Sequence, residues 1–183
     1  MALGALASPS GHTAVGSGLT TPEVSPEIFR MVLGHLPTGV TVVTAFGASG
    51  PVAMAVNSVT SLSLDPALVL FCPARTSSTW PEIRNAGRFC INVLAAHHED
   101  LSRRFATKGV DRFAGTSCHD RASGPGIDDA VAWIDAELEV EHDGGDHTIA
   151  VARVVALAAA PELLPLVFFR GSYGSLTVQP DGA

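Results

Sequence analysis

The sequence predicts a mainly β domain: a small closed or split barrel with short helices inserted between its strands. Three observations predict it. Residues 133–141 alternate strictly, with Ile134, Ala136, Leu138 and Val140 on one side and Asp135, Glu137, Glu139 and Glu141 on the other. Period two of this regularity means one buried face and one wet face, hence an antiparallel sheet. Residues 142–146 then read as a hairpin turn, with 148–157 as the returning strand. Finally, residues 51–73 read as two strand-like runs, 53–56 and 67–71, joined by a polar, hydroxyl-rich turn. Asp65-Pro66 marks that turn, because proline drives the preceding residue out of the helical region. The run 67–71 is continuously apolar, as in a strand buried on both faces.

The remaining elements follow in order. Ser25-Pro26-Glu27 is a helix start: Ser caps, Pro suits the first turn, and Glu favours the positive helix end. Ile28, Phe29, Val32, Leu33 and Leu36 recur at helical spacing until Pro37. Residues 40–46 are β-branched and read as a strand, closed by a turn over 47–51. Thr79-Trp80-Pro81-Glu82 has capping-box spacing and opens a short helix that stops near Gly87. Residues 89–94 read as a strand, 98–106 as a helix, 108–127 as a long loop, and 166–170 as the last strand. That makes five or six strands in all.

Composition sets limits. Hydrophobic residues make up 46% and charged residues 16% of 183 residues. A surface so poor in charge points to a large subunit interface. The net charge of −7 argues against nucleic acid as a partner. Cys72, Cys90 and Cys118 form no CxxC pair and read as reduced, packed thiols of a cytoplasmic protein. Residues 1–24 are rich in small residues and have no Lys or Arg, so they lack the charged start of a secretory signal. They are expected to be a flexible tail, as is 177–183, leaving 25–176 as one domain. No membrane span and no metal site is expected; His97 and His98 are adjacent on a helix, cannot face one site, and are both read as solvated.

Six blocks occur in a telling order: FRMVLGHLPTGVTVVT, the stretch 51–73, GRFCINVL, LSRRF, DGGDHTI and LVFFRGSY. Together they resemble the flavin reductase-like family, short-chain reductases that feed reduced flavin to two-component monooxygenases, over roughly residues 25–176. The resemblance implies a Greek-key split β-barrel of the FMN-binding type, with short inserted helices, working as a homodimer. It also implies an NAD(P)H-dependent flavin reductase whose flavin is a diffusible substrate passed to a separate monooxygenase. FAD is favoured with FMN possible, and NADH is favoured over NADPH, since no arginine cluster for a 2′-phosphate is evident. No Rossmann fingerprint follows any strand, and such a reductase needs none.

The same resemblance assigns site residues. Cys72, Pro73, Ala74, Ser78, Thr79, Arg104 and Phe105 match positions that line the flavin. Hydroxyls, amides and arginine would hold the phosphate, because the segment 75–78, where many relatives carry Lys, has none and Lys108 is the only lysine. From the residues alone, the helix-cap reading of Ser78 or Thr79 is the favoured one, and it is the resemblance that reverses it. Asn57, Ser58, Thr60 and Ser61 are matched to the polar edge of the isoalloxazine, with Met54 and Ala55 near the ring and Thr38, Gly39 and Val40 on its other side. Asn57-Ser58 read alone is a turn. Gly145, Asp146 and His147 are matched to the place where nicotinamide enters, with His147 the catalytic candidate, while DGGD alone is turn chemistry. Arg170 and Tyr173 resemble positions near the active site; their bland reading is edge-strand packing. The acidic side of 135–141 reads as a solvated face. Two other readings stay open: a split-barrel enzyme with tightly bound flavin, of the pyridoxamine phosphate oxidase kind, and a non-catalytic flavin-binding module.

Overall fold

The computed structural model describes residues 24–177. The expected tails therefore fall, but for Val24 and Thr177, outside the described residues. The protein is mainly β. Helix α1 (Pro26–Leu33) is followed by β1 (Thr38–Gly39), β2 (Thr41–Gly47), β3 (Gly50–Val56), β4 (Thr60–Leu64) and β5 (Ala67–Phe71). Next come α2 (Trp80–Ala86), β6 (Arg88–Val93), a 3-10 turn (Ala96–His98) and α3 (Glu99–Ala106). The chain ends with β7 (Cys118–Asp120), β8 (Pro125–Ile127), β9 (Ala132–Gly144), β10 (His147–Ala159), β11 (Leu166–Phe169) and β12 (Ser172–Ser175).

Seven strands form one antiparallel sheet in the order β3-β2-β6-β9-β10-β5-β4. Its two edge strands, β3 and β4, are consecutive in the chain and are joined by Asn57, Ser58 and Val59 alone. Such a link spans only about 14 Å, whereas the edges of a flat sheet of this width lie about 29 Å apart. The sheet must therefore curl until its edges come near one another.

The curl encloses a core of Val43, Val56, Val69, Phe71, Phe89 and Ile91, closed by Trp80 and Ile83 of α2. Phe71 stands edge-on to Trp80 and Phe89, with centroids 5.3 and 5.4 Å away, a favourable aromatic arrangement. Trp80 Nε1 donates to Glu141 (3.0 Å), so the indole is satisfied as well as buried. A second cluster lies on the other face of β2 and β3, where Val40, Val42, Ala53, Leu94 and Leu166 meet Leu101 and Phe105 of α3. A small sheet, β1-β11-β12, flanks it.

Several expectations are corrected. The hydroxyl-rich stretch is not a turn: Thr60–Leu64 pairs with β5 as an edge strand, with a register shift between Ser61 and Ser63, and a strand open to solvent carries polar residues readily. β5 is not buried on both faces; Ala67 is exposed, and burial alternates along the strand. The long loop 108–127 contains the β7-β8 hairpin, and residues 123–127 are buried against β2 and β6. Gly124 is needed there, since a Cβ would sit 2.4 Å from the Thr44 carbonyl oxygen. The chain also adds β12 after the strand expected to be last.

That covering loop changes the reading of β9. Asp135, expected on the wet face, is 2% exposed. Its Oδ2 accepts from Arg121 Nε (3.0 Å) and Nη2 (2.6 Å). Burial first, and the Asp135 charge second, push the neighbouring Cys90 thiol up to about 12. Val140, expected inside, is exposed, because a register shift in the β9-β10 ladder between Leu138 and Val140 turns the alternation over. The remaining acids are not bare either. Glu137, Glu139 and Glu141 face Arg88, Arg153 and Arg84, so the stripe is largely neutralised.

Candidate functional site

Three connected recesses follow β3. The first, about 230 Å³, is lined by Met54 and Ala55, by Ala74, Ser78 and Thr79, and by Phe105, Lys108 and Arg112. Ala55 is shared with a slot of about 140 Å³ between Val56, Asn57, Phe168 and Tyr173. Asn57 and Phe168 are shared in turn with a recess of about 420 Å³ that reaches Thr38, Phe29 and Leu33. The result is a long groove, polar and cationic at one end and apolar at the other, as a flat ligand with a charged tail requires.

At the cationic end, the capping reading of Ser78 and Thr79 gives way. Ser77 Oγ accepts the N–H groups of Thr79 (3.3 Å) and Trp80 (3.1 Å). Thr79, although at the N-cap position, makes no side-chain cap. Its Oγ1 instead accepts from Arg112 Nη1 (2.9 Å). Two amides at the start of α2 are thereby already satisfied, which leaves hydroxyls and cations to meet an anion. Ser78 is exposed and makes no side-chain hydrogen bond among the described residues.

Arg112 was not singled out in the sequence, where it lies in a stretch with no motif. Besides Thr79, it donates to the Ala53 carbonyl through Nη1 (2.5 Å) and to the Thr107 carbonyl through Nε (3.1 Å). It ties β3, the residue before α2 and the chain after α3 together at the edge of the groove. Arg104 is turned elsewhere: its Nη1 donates to the Ala114 carbonyl (2.5 Å), and its Nε is buried without a partner.

The other end is built from short polar contacts. Tyr173 Oη and Ser102 Oγ are 2.9 Å apart, and the Arg103 guanidinium lies 4.8 Å from the Tyr173 ring centre. Tyr173 is therefore held in place within the slot and does more than pack an edge strand. Thr38 Oγ1 is buried with no partner, an acceptor and donor left open beside Asn57. Ser58 faces away from the ligand space; its Oγ accepts the Cys72 N–H (2.8 Å) and clamps the β3-β4 link to the end of β5. Thr60 and Ser61 lie on the exposed edge strand and line none of these recesses.

The β9-β10 turn comes down on the segment after β5. Thr148 N–H donates to the Pro73 carbonyl (2.9 Å), and Arg75 N–H donates to the Asp146 carbonyl (3.0 Å). Ala74, a groove residue, bridges His147. Asp143 accepts the Gly145 N–H (2.9 Å) and pairs with Arg75 (2.8 Å), and these contacts hold its carboxyl below the usual range. Gly145 has φ +76°, a conformation that glycine adopts without cost. His147 Nδ1 is 2.7 Å from Asp146 Oδ1, which lowers the Asp146 carboxyl and leaves Nε2 to face outward chemistry.

His98 corrects a further expectation. His97 is exposed, but His98 is buried, and its Nδ1 accepts the Ala95 N–H (3.3 Å). Burial, then the neighbouring His97, lowers its pKa from 6.5. A folded-state pKa below the unfolded one stabilises the fold above the unfolded value, and that contribution is lost as pH falls through the folded value. The protein should therefore lose stability below about pH 6.5. His98→Gln, which keeps an acceptor, should flatten that acid limb in urea titrations at several pH values. An unchanged pH profile would assign the acid sensitivity to other groups.

The family model for the flavin reductase like domain matches residues 33–177. This chain belongs to that family. Among its relatives, the flavin-dependent monooxygenase reductase subunit HsaB of Rhodococcus jostii is 42% identical over 168 residues, covering 91% of this chain and 85% of that protein. A flavin reductase of Pseudomonas putida is 43% identical over 164 residues, covering 88% and 96%. A crystal structure of nitrilotriacetate monooxygenase component B from Mycobacterium thermoresistibile superposes with a TM-score of 0.80 at 40% identity, covering 86% and 91%. The Streptomyces globisporus NADH:FAD oxidoreductase SgcE6, solved with NAD and FAD fragments, gives 0.79 at 34% identity, covering 88% and 99%. Of the residues assigned through the resemblance to the flavin reductase-like family, the structure sets Thr38, Met54, Ala55, Asn57, Ala74, Ser78, Thr79, Phe105 and Tyr173 along one groove. Cys72, Pro73 and the residues 145–147 adjoin it, while Thr60, Ser61 and Arg104 do not line it.

Proposed function

We propose that this protein is an NADH-dependent flavin reductase that supplies reduced flavin to a separate monooxygenase component. The observation that carries the reading is the single groove, cationic at one end and apolar at the other, in a chain that belongs to the flavin reductase like family. The flavin and the nicotinamide supply both reacting atoms of the hydride transfer. The chain binds and orients them. Ser78, Lys108 and Arg112 meet the flavin phosphate. Arg104 supports the loop beneath through Ala114. Met54 and Ala55 contact the ring, with Thr38, Asn57 and Tyr173 offering hydrogen bonds and a flat wall. Cys72 and Pro73 set the backbone that carries Ala74. Gly145 and Asp146 shape the turn and orient His147, whose Nε2 meets the nicotinamide carboxamide. No proton transfer is assigned to it.

The relatives include both an FMN reductase (NADH), SmoA, and an NADH:FAD oxidoreductase. For this chain FAD is the favoured flavin and NADH the favoured donor. The curled sheet is read as a Greek-key split barrel, open between β3 and β4. Two copies pair through apolar surface: α1 buries none of its residues, and Phe29, Met31, Val32 and Leu36 are each more than half exposed, an unpartnered patch of the kind that marks an interface. Its substrates place the enzyme in the cytoplasm. Among the described residues no helix is long and apolar enough to cross a membrane.

The test is oxidation of NADH and NADPH by the purified protein, with FAD and FMN added in turn. Multiple turnovers of free flavin are expected. Tight flavin retention without turnover would overturn the reading. His147→Ala should lower the NADH-dependent rate about ten- to hundredfold through misplaced nicotinamide, with flavin affinity nearly unchanged. Equal losses in both would return His147 to turn packing. Sedimentation at micromolar concentration should give a dimer.

A further inference from the structure

We propose that Arg75 is a positioning residue for hydride transfer: it docks the β9-β10 turn, and with it the His147 imidazole, onto the segment that carries flavin-groove residues. The inference rests on the flavin reductase reading and deepens it. The β5-β10 ladder ends at the pair Phe71 and Ala150, so residues 147–149 and the turn before them overhang the end of β5. Residues 73–75 catch the overhang. The Pro73 carbonyl accepts the Thr148 N–H (2.9 Å), Ala74 bridges His147, and the Arg75 N–H donates to the Asp146 carbonyl (3.0 Å). Those are backbone contacts that most side chains at position 75 would allow. The guanidinium adds two more: Nη2 lies 2.8 Å from Asp143 Oδ1, and Nε donates to the His147 carbonyl (3.4 Å). It thus holds both flanks of the turn at once, with a fork that lysine lacks. The same Asp143 oxygen accepts the Gly145 N–H (2.9 Å), so the arginine also steadies the residue that closes the turn.

Energetics separate this role from a purely structural one. The Arg75 and Asp143 side chains are 51% and 78% exposed. A pair so open to water adds little to the stability of the fold. Orientation is a different matter, since a displacement of about 1 Å in a reacting geometry costs about a hundredfold in rate. The His147 ring is tied through Nδ1 to Asp146 (2.7 Å), its neighbour on the same turn, so its position is only as well defined as that of the turn. The segment that Arg75 belongs to supplies Ala74, Ser78 and Thr79 to the groove. One side chain therefore sets the nicotinamide side of the site against the flavin side.

Arg75→Ala should lower kcat for NADH oxidation about tenfold, with Tm and the flavin dissociation constant nearly unchanged. Asp143→Asn still accepts the Gly145 N–H but loses its charge, and should reproduce the loss. Arg75→Lys should recover only part of it. The double variant decides the route: with His147→Ala in place, Arg75→Ala should change kcat by less than about twofold further, because it acts through the imidazole. Amide hydrogen exchange over residues 143–148, measured without substrate, should speed about tenfold in Arg75→Ala and reports the loosened turn independently of turnover. Losses that multiply in the double variant, or unchanged exchange, would overturn the proposal. So would a raised KM for NADH at unchanged kcat, which would give Arg75 a direct contact with the nicotinamide nucleotide, or a raised flavin dissociation constant, which would give it to the flavin phosphate. Failure of the reductase reading itself looks different: wild-type protein would then oxidise no NADH with either flavin.

Discussion

Replacing Asp135 with Ala should destabilise the protein by about 3–5 kcal/mol. The change leaves the Arg121 guanidinium, whose side chain is 16% exposed, without its partner beneath the covering loop. Attraction between the two charges offsets the cost of burying them only while both are present. With a total stability of about 5–15 kcal/mol for a domain, the loss should lower Tm by about 6–20 °C. It should also loosen residues 121–127, because Arg121 is the tie between that segment and β9. The surrounding polar layer has little slack: Asn92 donates to the Val42 carbonyl and accepts the Ile127 N–H, and Thr44 donates to the Pro125 carbonyl. A double change, Asp135→Leu with Arg121→Met, removes both charges and should recover most of the loss. If Asp135→Ala melts with the wild type, the pair is surface-like in energy and the covering loop is held by Asn92 and Thr44 alone.

That ion pair also shows where reading from sequence stops. The β9-β10 hairpin was visible in advance, because alternation over nine residues is a one-dimensional record of a sheet with one buried face. Asp135 fitted the wet side of that record. Its burial depends on a segment fourteen residues earlier, rich in Gly and Ser, that has no periodicity to announce it as a cover. The same limit applies at the site. The capping-box spacing of Thr79 and Glu82 was real, yet Ser77, two residues before, captured the amides. Local spacing does not say which of three adjacent hydroxyls points inward. Met54, Asn57 and Phe105 were legible because they fall in blocks carried by a family resemblance, and Thr79 because the same resemblance matches the stretch from Cys72 to Thr79. Arg112 was not, since its partners Ala53 and Thr79 come from two other segments and nothing in DRFAG marks the arginine. His98 was misread for a similar reason: two adjacent histidines look alike in a sequence, but a helix turns one inward and the other out.

Arg112→Ala should raise the Michaelis constant for flavin about ten- to hundredfold while changing kcat little. A charge-assisted hydrogen bond contributes about 1.5–3 kcal/mol, which sets that range. The phosphate end is remote from the reacting ring, so ground state and transition state lose the same contact and the effect appears in KM. Two losses add. One is the charge itself beside Ser78 and Lys108. The other is the tie that orients Thr79 and docks the chain after α3 onto Ala53. Arg112→Lys separates them: it keeps the charge but not the forked geometry that reaches Ala53 and Thr79 together, so it should recover only part of the affinity. Arg104→Ala should act more weakly on flavin, because its guanidinium is occupied at the Ala114 carbonyl. Ser78→Ala, which removes a neutral donor, should also act more weakly than Arg112→Ala. Steady-state kinetics with flavin varied at saturating NADH would rank the three. If Arg104→Ala weakens flavin more than Arg112→Ala, the phosphate lies on the α3 side of the groove, and Arg112 is a structural tie without ligand contact.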